Sequence, residues 1–194
     1  MPRVTRKEAD QHKQDVINAA ARLFRERGLA GVSVPGIMAE AGLTHGAFYG
    51  QFESKEALTV AAFERAFDEM HAIYDDIERR NPGKSDARAE FIKNYTSKLH
   101  RDRPGLGCVA AALSGEIANE KPGSPIRAAF VTGFGGMIDR LQRLLTRSRR
   151  QPPSRQETIA MLAMLIGAQV LAGATNGEKL SDEVLQAVRD TLSK

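Results

Sequence analysis

Apolar side chains return every third or fourth position along almost the whole chain, a period that predicts helices rather than strands. Val16, Ile17, Ala20, Leu23 and Phe24 hold this spacing between charged residues. Arg25, Arg27 and then Gly28 supply the cationic last turn and the glycine expected at a helix end, so the first helix is predicted over Arg6 to Arg27. Ser33 is the predicted N-cap of a short helix carrying Val34, Ile37, Met38 and Ala41, with Pro35 allowed in its first turn. Gly42 breaks that helix. Thr44 can cap a third, also short, whose Phe48 and Phe52 share one face, and Ser54 with Glu56 opens a fourth. The fourth runs long, through Leu58, Ala62, Phe63, Phe67, Met70, Tyr74 and Ile77, until Asn81-Pro82-Gly83 stops it.

The same period continues through Phe91, Ile92, Tyr95 and Leu99, read as one helix, and Arg103-Pro104-Gly105-Leu106-Gly107 then makes a turn before Cys108. A short helix follows and ends at Lys121-Pro122-Gly123-Ser124-Pro125. The next is predicted over Ile126 to Arg149, weakened by Gly133, Gly135 and Gly136. Beyond Gln151-Pro152-Pro153-Ser154 comes a strongly apolar helix around Met161 to Ala168. Asn176-Gly177 and Ser181 lead into a last one through Leu185, Val188 and Leu192. No segment alternates as a strand does, and no repeat is visible. The expected fold is all-α with about nine helices, in two unequal parts: a three-helix domain over residues 1–53 and a helical domain over 54–194.

Composition narrows the class. A chain of 194 residues with 42% apolar and 27% charged side chains has material for a packed core. No run approaches roughly 18 uninterrupted apolar residues, and the basic start lacks the apolar stretch of a signal peptide, so no membrane segment and a cytoplasmic location are expected. Cys108 is the single cysteine, which excludes an intramolecular disulfide and a multi-cysteine zinc site. No metal-ligand spacing or phosphate loop points to a metal or cofactor. The formal charge of +4 suits a polyanionic partner without requiring one.

Two short helices joined by Ala41-Gly42-Leu43-Thr44 have the proportions of a helix-turn-helix, whose first helix braces the second against DNA. If Ile37, Met38, Leu43, Phe48 and Phe52 pack inward, His45, Gly46, Ala47 and Tyr49 are left outside. His45 and Tyr49 can reach base edges, sugars or phosphates, and Gly46 and Ala47 permit close approach. Ser33 and Thr44 offer hydroxyls and helix N-terminal N–H groups to phosphates, and Lys55 would pair with another. The competing reading is a plain three-helix core with His45 and Tyr49 exposed to no purpose.

The run from Gly31 to Ile37, followed by Ala39-Glu40-Ala41-Gly42-Leu43-Thr44-His45-Gly46-Ala47-Phe48-Tyr49-Gly50-Gln51-Phe52-Glu53-Ser54-Lys55-Glu56-Ala57-Leu58, closely resembles the TetR family of repressors. The likeness is close over residues 12–60, and further on it rests on helix count and order. It implies a two-fold dimer on double-stranded operator DNA, with Ser33, Thr44, His45, Gly46, Ala47, Tyr49, Gln51 and Lys55 at positions that touch the operator. Phe48 and Phe52 would be core. Gly36 and Gly50 depart from the residues usual in the family, so base preference does not carry over. Arg3, Arg6 and Lys7 could form a minor-groove arm or a solvated terminus.

The resemblance further implies that the larger domain encloses a small-molecule effector and dimerises through its last two long helices. Ile159, Leu162, Ala163, Ile166, Gly167, Val170 and Leu171 form a wide apolar stripe that fits a dimer face or an internal core helix. Cys108, at a predicted helix start near His100, Arg101 and Arg103, is either a redox- or electrophile-sensing thiol or a small buried hydrophobe. Some TetR-like regulators that respond to electrophiles look similar here, with an acidic residue such as Glu116 further along the helix. The basic run Arg140, Arg143, Arg147, Arg149, Arg150 and Arg155 reads as a solvated helix end and loop. The function expected is a ligand-responsive repressor. Its rivals are an enzyme using Cys108, His100 and Glu116, and a non-specific DNA-packaging protein.

Overall fold

Thr5 caps the first helix: its hydroxyl accepts the Glu8 N–H while the Glu8 carboxylate accepts the Thr5 N–H at 2.7 Å. The structure, a computed structural model, describes residues 5–82, 86–147 and 153–193; Arg3, Gly83, Arg149, Arg150, Gln151 and Pro152 lie outside them. Helix α1 (Arg6–Arg27) ends on Gly28 at φ 73°, a left-handed position that favours glycine. Helix α2 (Val34–Glu40) starts from Ser33, whose hydroxyl accepts the Gly36 N–H at 3.2 Å. The next element is a 3-10 helix, His45–Gly50, rather than the α-helix expected. It spans six residues with a glycine near each end, and the N–H groups of Ala47 and Gln51 bond three residues back, to the Thr44 and Phe48 carbonyls at 3.0 and 2.9 Å.

Helix α3 (Lys55–Arg80) leaves this head and enters the body, where α4 (Asp86–Tyr95), α5 (Lys98–Asp102), a 3-10 turn (Pro104–Leu106), α6 (Val109–Ala118), α7 (Pro125–Arg147), α8 (Arg155–Ala174) and α9 (Lys179–Leu192) follow. The described residues are helical with no strand, as the apolar period predicts. One expected helix over Phe91 to Leu99 is two. Thr96 turns its hydroxyl back to the Ile92 carbonyl at 2.7 Å, and Ser97 caps α5 by accepting the His100 N–H at 3.1 Å. Nor does Ser181 lead into the last helix; it is buried inside α9 and donates to the Ala172 carbonyl at 2.7 Å.

Head and body share one hydrophobic core, running from Val16, Leu23, Ile37, Met38, Phe48 and Phe52 through Phe63, Phe67 and Tyr74 to Leu113, Leu141 and Leu162. The stripe expected on α8 divides. Leu162 faces inward with Met161, Leu165 and Ala168, while Ile159, Ala163, Val170 and Leu171 stay exposed. By length and composition α8 could cross a membrane. Charged residues at its N-terminus hid this from a count of uninterrupted apolar positions. Its buried face packs on α6, α7 and α9, and its Gln169 side chain donates to the Tyr95 carbonyl. In the basic run, Arg140 is paired with Asp75 at 2.6 Å and Arg155 with Asp139 at 2.5 Å.

Candidate nucleic-acid interface and adjoining cavity

Phe48 and Phe52 are 3% and 7% exposed, and their rings stack 5.7 Å apart on the core. That fixes the 3-10 helix from behind and turns His45, Gly46 and Tyr49 to the outside, with Ala47 partly covered. Tyr49 is 70% exposed, and its ring meets that of His45 edge-on at 5.7 Å. Gly46 and Gly50 have open space where a Cβ would stand. The turn before them uses Gly42 at φ 71°. Thus an aromatic pair and two bare backbone positions share one outward face beside the α2 N-terminus, where Ser33 is exposed.

Four predicted backbone-holding residues divide. Ser33 and Thr44 lie at the surface, although Thr44 makes no side-chain cap bond to the element it precedes. Gln51 is half-buried, its Oε1 buried and without a hydrogen-bond partner among the described residues. Lys55 departs most from expectation. Its ammonium turns inward and donates to the carbonyls of Leu29 and Val32 at 2.8 and 2.6 Å, stitching the α1–α2 loop to α3. An ammonium has three donors, so a single N–H is left for anything else.

Behind the head lies an apolar cavity of about 240 Å³. Met70, Tyr74 and Ile77 of α3, Phe91 and Tyr95 of α4, and Leu99, Arg103 and Leu106 on the far side line it. The turn that closes it also touches α1. Gly105 packs against Arg22 and Glu26, and Arg25 donates to the Gly107 carbonyl at 3.4 Å and to Glu69 at 2.7 Å. One turn of chain therefore forms a cavity wall and a seat for the head. Glu116 of α6 makes a second tie, accepting the N–H groups of Leu29 at 2.9 Å and Ala30 at 3.3 Å. Arg25 is the cation expected in the last turn of α1, and the one sign in the sequence of its burial is that it follows Phe24 directly on the buried side of the helix.

Cys108 is 2% exposed and precedes the first turn of α6. Burial pushes its thiol up, the Tyr95 hydroxyl and Arg25 only partly opposing, which favours the neutral thiol of a small buried hydrophobe over a helix-stabilised thiolate. His100 cannot serve as its base. Its Nδ1–H donates to the Tyr95 carbonyl at 2.8 Å and its Nε2 accepts the Cys108 backbone N–H at 2.8 Å, a neutral ring with both nitrogens committed. With Glu116 occupied at the head, the three groups do not assemble a nucleophilic site.

Burial holds the His100 pKa below its ordinary value. The unfolded chain therefore binds the proton more readily, and this contribution to stability is complete above the ordinary histidine pKa of about 6.5 and is lost as pH falls through the lower folded value. His71 shifts the same way, again mainly by burial. The melting temperature is expected to fall between about pH 7.5 and 5.5, and less so in His100→Gln. Equal slopes in the two proteins would show that His100 takes a proton without loss of its bonds.

Comparison with known proteins bears on the whole arrangement. Residues 16–62 match the family model described as bacterial regulatory proteins, tetR family. The chain is 34% identical over 77 residues to the uncharacterized HTH-type transcriptional regulator YerO of Bacillus subtilis, spanning 38% of this chain and only 27% of YerO. It is 23% identical over 191 residues to the HTH-type transcriptional repressor NemR of Escherichia coli, covering 93% of this chain and 94% of NemR. The reduced-form crystal structure of NemR superposes with a TM-score of 0.73 over 93% of this chain and 96% of that one. A TetR transcriptional regulator from Chloroflexus aurantiacus reaches 0.78 at 21% identity, over 97% of both chains. The matched segment runs from the middle of α1 through α2 and the outward 3-10 face to the start of α3. Residues 16–62 thus carry the DNA-binding segment described by the tetR family model, and the chain over nearly its whole length has the fold of these helix-turn-helix regulators.

Proposed function

We propose that this regulator is a homodimeric repressor that reads an operator through His45, Gly46, Ala47 and Tyr49 and releases it when a small molecule enters the cavity beside α3. The single observation that carries the reading is the outward His45–Tyr49 face braced by buried Phe48 and Phe52. Ser33, Thr44 and Gln51 hold the phosphate backbone, and Lys55 acts mainly by fixing the α1–α2 loop. The head comprises residues 1–53 and the effector and dimer domain 54–194. Two chains pair through the outer faces of α8 and α9, where Ile159, Val170, Leu171 and Leu180 are 40–57% exposed. That sets two recognition elements into successive major grooves about 34–36 Å apart. A ligand pressing on Leu106 and Arg103 shifts the turn that seats α1, which gives the two states different operator affinity. Its place is the cytoplasm, with the DNA.

Selection of bound sites from random duplex DNA tests this. One two-fold site should be enriched, with affinity lowered in Tyr49→Ala by about ten- to a hundredfold, the loss expected for a base- or sugar-contacting side chain. Thermal stability should stay at the wild-type value, because Tyr49 packs little against the fold. No enriched site together with a steep salt slope would instead make the protein a non-specific binder.

A further inference from the structure

The cavity beside α3 combines an apolar rim with one unmatched charge. Ile73, Leu99 and Leu106 line its outer part, the two leucines 60% and 64% exposed, and buried Met70, Ile77 and Phe91 continue the wall inward. Arg103, also exposed, lines the same cavity. It precedes the 3-10 turn Pro104–Leu106, and the Leu106 N–H donates to its carbonyl at 3.0 Å. Residues three apart fall on one side of such a turn, so the cation and the exposed leucine stand together. The other cations of this segment are already matched. Lys98 pairs with Asp182 at 2.5 Å, and Arg101 pairs with Asp102 at 2.7 Å and with Asp182 at 2.9 Å. Arg103 has no ion-pair partner among the described residues and is the surplus charge. No carboxylate lines the cavity, and His100, a neutral ring with both nitrogens engaged, adds no charge.

We infer that the cavity binds an amphipathic monocarboxylate, its apolar body against this wall and its carboxylate paired with Arg103 at the mouth. A guanidinium presents two parallel N–H donors to a carboxylate, and here it does so at the surface, where neither charge has to be buried. The body supplies most of the affinity by taking both itself and the exposed leucines out of water. A cavity of about 150 Å³ holds benzene, so one of about 240 Å³ with an open mouth takes a body of about two fused rings. A cation of that shape meets a positive rim with no carboxylate to receive it. A neutral molecule gains the wall and forgoes the pair. The regulatory meaning of this binding rests on the effector reading above; the binding itself does not.

The test is calorimetric titration of the purified full chain with three probes of one body: naphthylacetate, its uncharged amide naphthylacetamide, and the cation naphthylethylammonium. Naphthylacetate should bind about fivefold more tightly than naphthylacetamide, the upper range for an ion pair kept in water, and naphthylethylammonium should bind most weakly. In Arg103→Gln the acetate and the amide should bind alike, and in Arg103→Glu the order should reverse, with naphthylethylammonium tightest. Leu106→Ser should weaken all three probes by a similar factor of about three, because it removes wall rather than charge. Both positions are exposed, so the variants keep the fold. Equal affinities for acetate and amide in the wild type, a preference that survives in Arg103→Gln, an unchanged order in Arg103→Glu, affinities untouched by Leu106→Ser, or no binding of any probe would each overturn the inference. Operator affinity measured in parallel separates the two readings. Naphthylacetate that binds as expected and leaves the operator complex intact refutes the effector role and keeps the ligand chemistry. Failure to bind with operator recognition intact refutes the ligand chemistry alone.

Discussion

Gly133→Ala is expected to destabilise the fold by about 3 kcal/mol, at the upper end of overpacking costs even after the helix propensity gained by alanine. A Cβ at this position would stand 2.0 Å from Cδ2 of Phe67. Phe67 has nowhere to go: it is 2% exposed, and its ring is held against Phe130 at 5.7 Å and His71 at 6.4 Å. The only relief is to move α7 off α3, which opens the core. Two residues further on, the same change has the opposite sign. Gly135 has nothing within 4 Å of its missing Cβ, so Gly135→Ala should stabilise by about 0.5–1 kcal/mol through backbone entropy and helix propensity. Urea unfolding at one fixed protein concentration measures both, the concentration being fixed because dimerisation adds to apparent stability. Midpoints that move in the same direction would mean that Phe67 does not pin the two helices.

Glu69→Ala should cost nearly as much. Arg25 is buried to 2% side-chain exposure, its Nε has no hydrogen-bond partner among the described residues, and Glu69 at 2.7 Å is the carboxylate that balances its charge. Removing one member of such a pair strands the other, at about 3–5 kcal/mol for full burial. The lower end applies here because the Glu69 side chain keeps 30% of its surface in water, where solvent screens part of the interaction. Replacing both partners, Arg25→Met with Glu69→Leu, should recover most of the loss, since apolar groups of similar volume need no counter-charge. The double variant lacks the bond from Arg25 to the Gly107 carbonyl and should also respond more weakly to any molecule that enters the cavity. A double variant as unstable as Glu69→Ala alone would show that the pair is retained for its packing rather than its charge balance.

The head was legible in the sequence because its determinants are local. Ser33 and Gly36 are three residues apart, Phe48 and Phe52 four, and Gly28 and Gly42 sit where a left-handed backbone is required. The outward position of Tyr49 follows from the same short spacing. Two local rules misled. Phe91 to Leu99 keep helical period, yet the Thr96 and Ser97 hydroxyls compete for the backbone and break the helix. Lys55 at a helix start suggested a free cation, but the carbonyls that hold it lie in a loop 23 and 26 residues earlier.

What the sequence by itself determined is therefore most of the helices, the caps at Ser33 and Ser54 and the exposed face of the 3-10 helix, all properties of residues within a turn or two of each other. Only the tertiary structure decided that Arg25 is buried against a carboxylate 44 residues away, that Glu116 holds the loop after α1 from 87 residues away, and that Lys55 turns inward to carbonyls of the α1–α2 loop. Periodicity records which side of a helix is dry. It does not record which polar group on another helix that dry side meets, and the balance of charge and hydrogen bonding across those contacts links the cavity to the head.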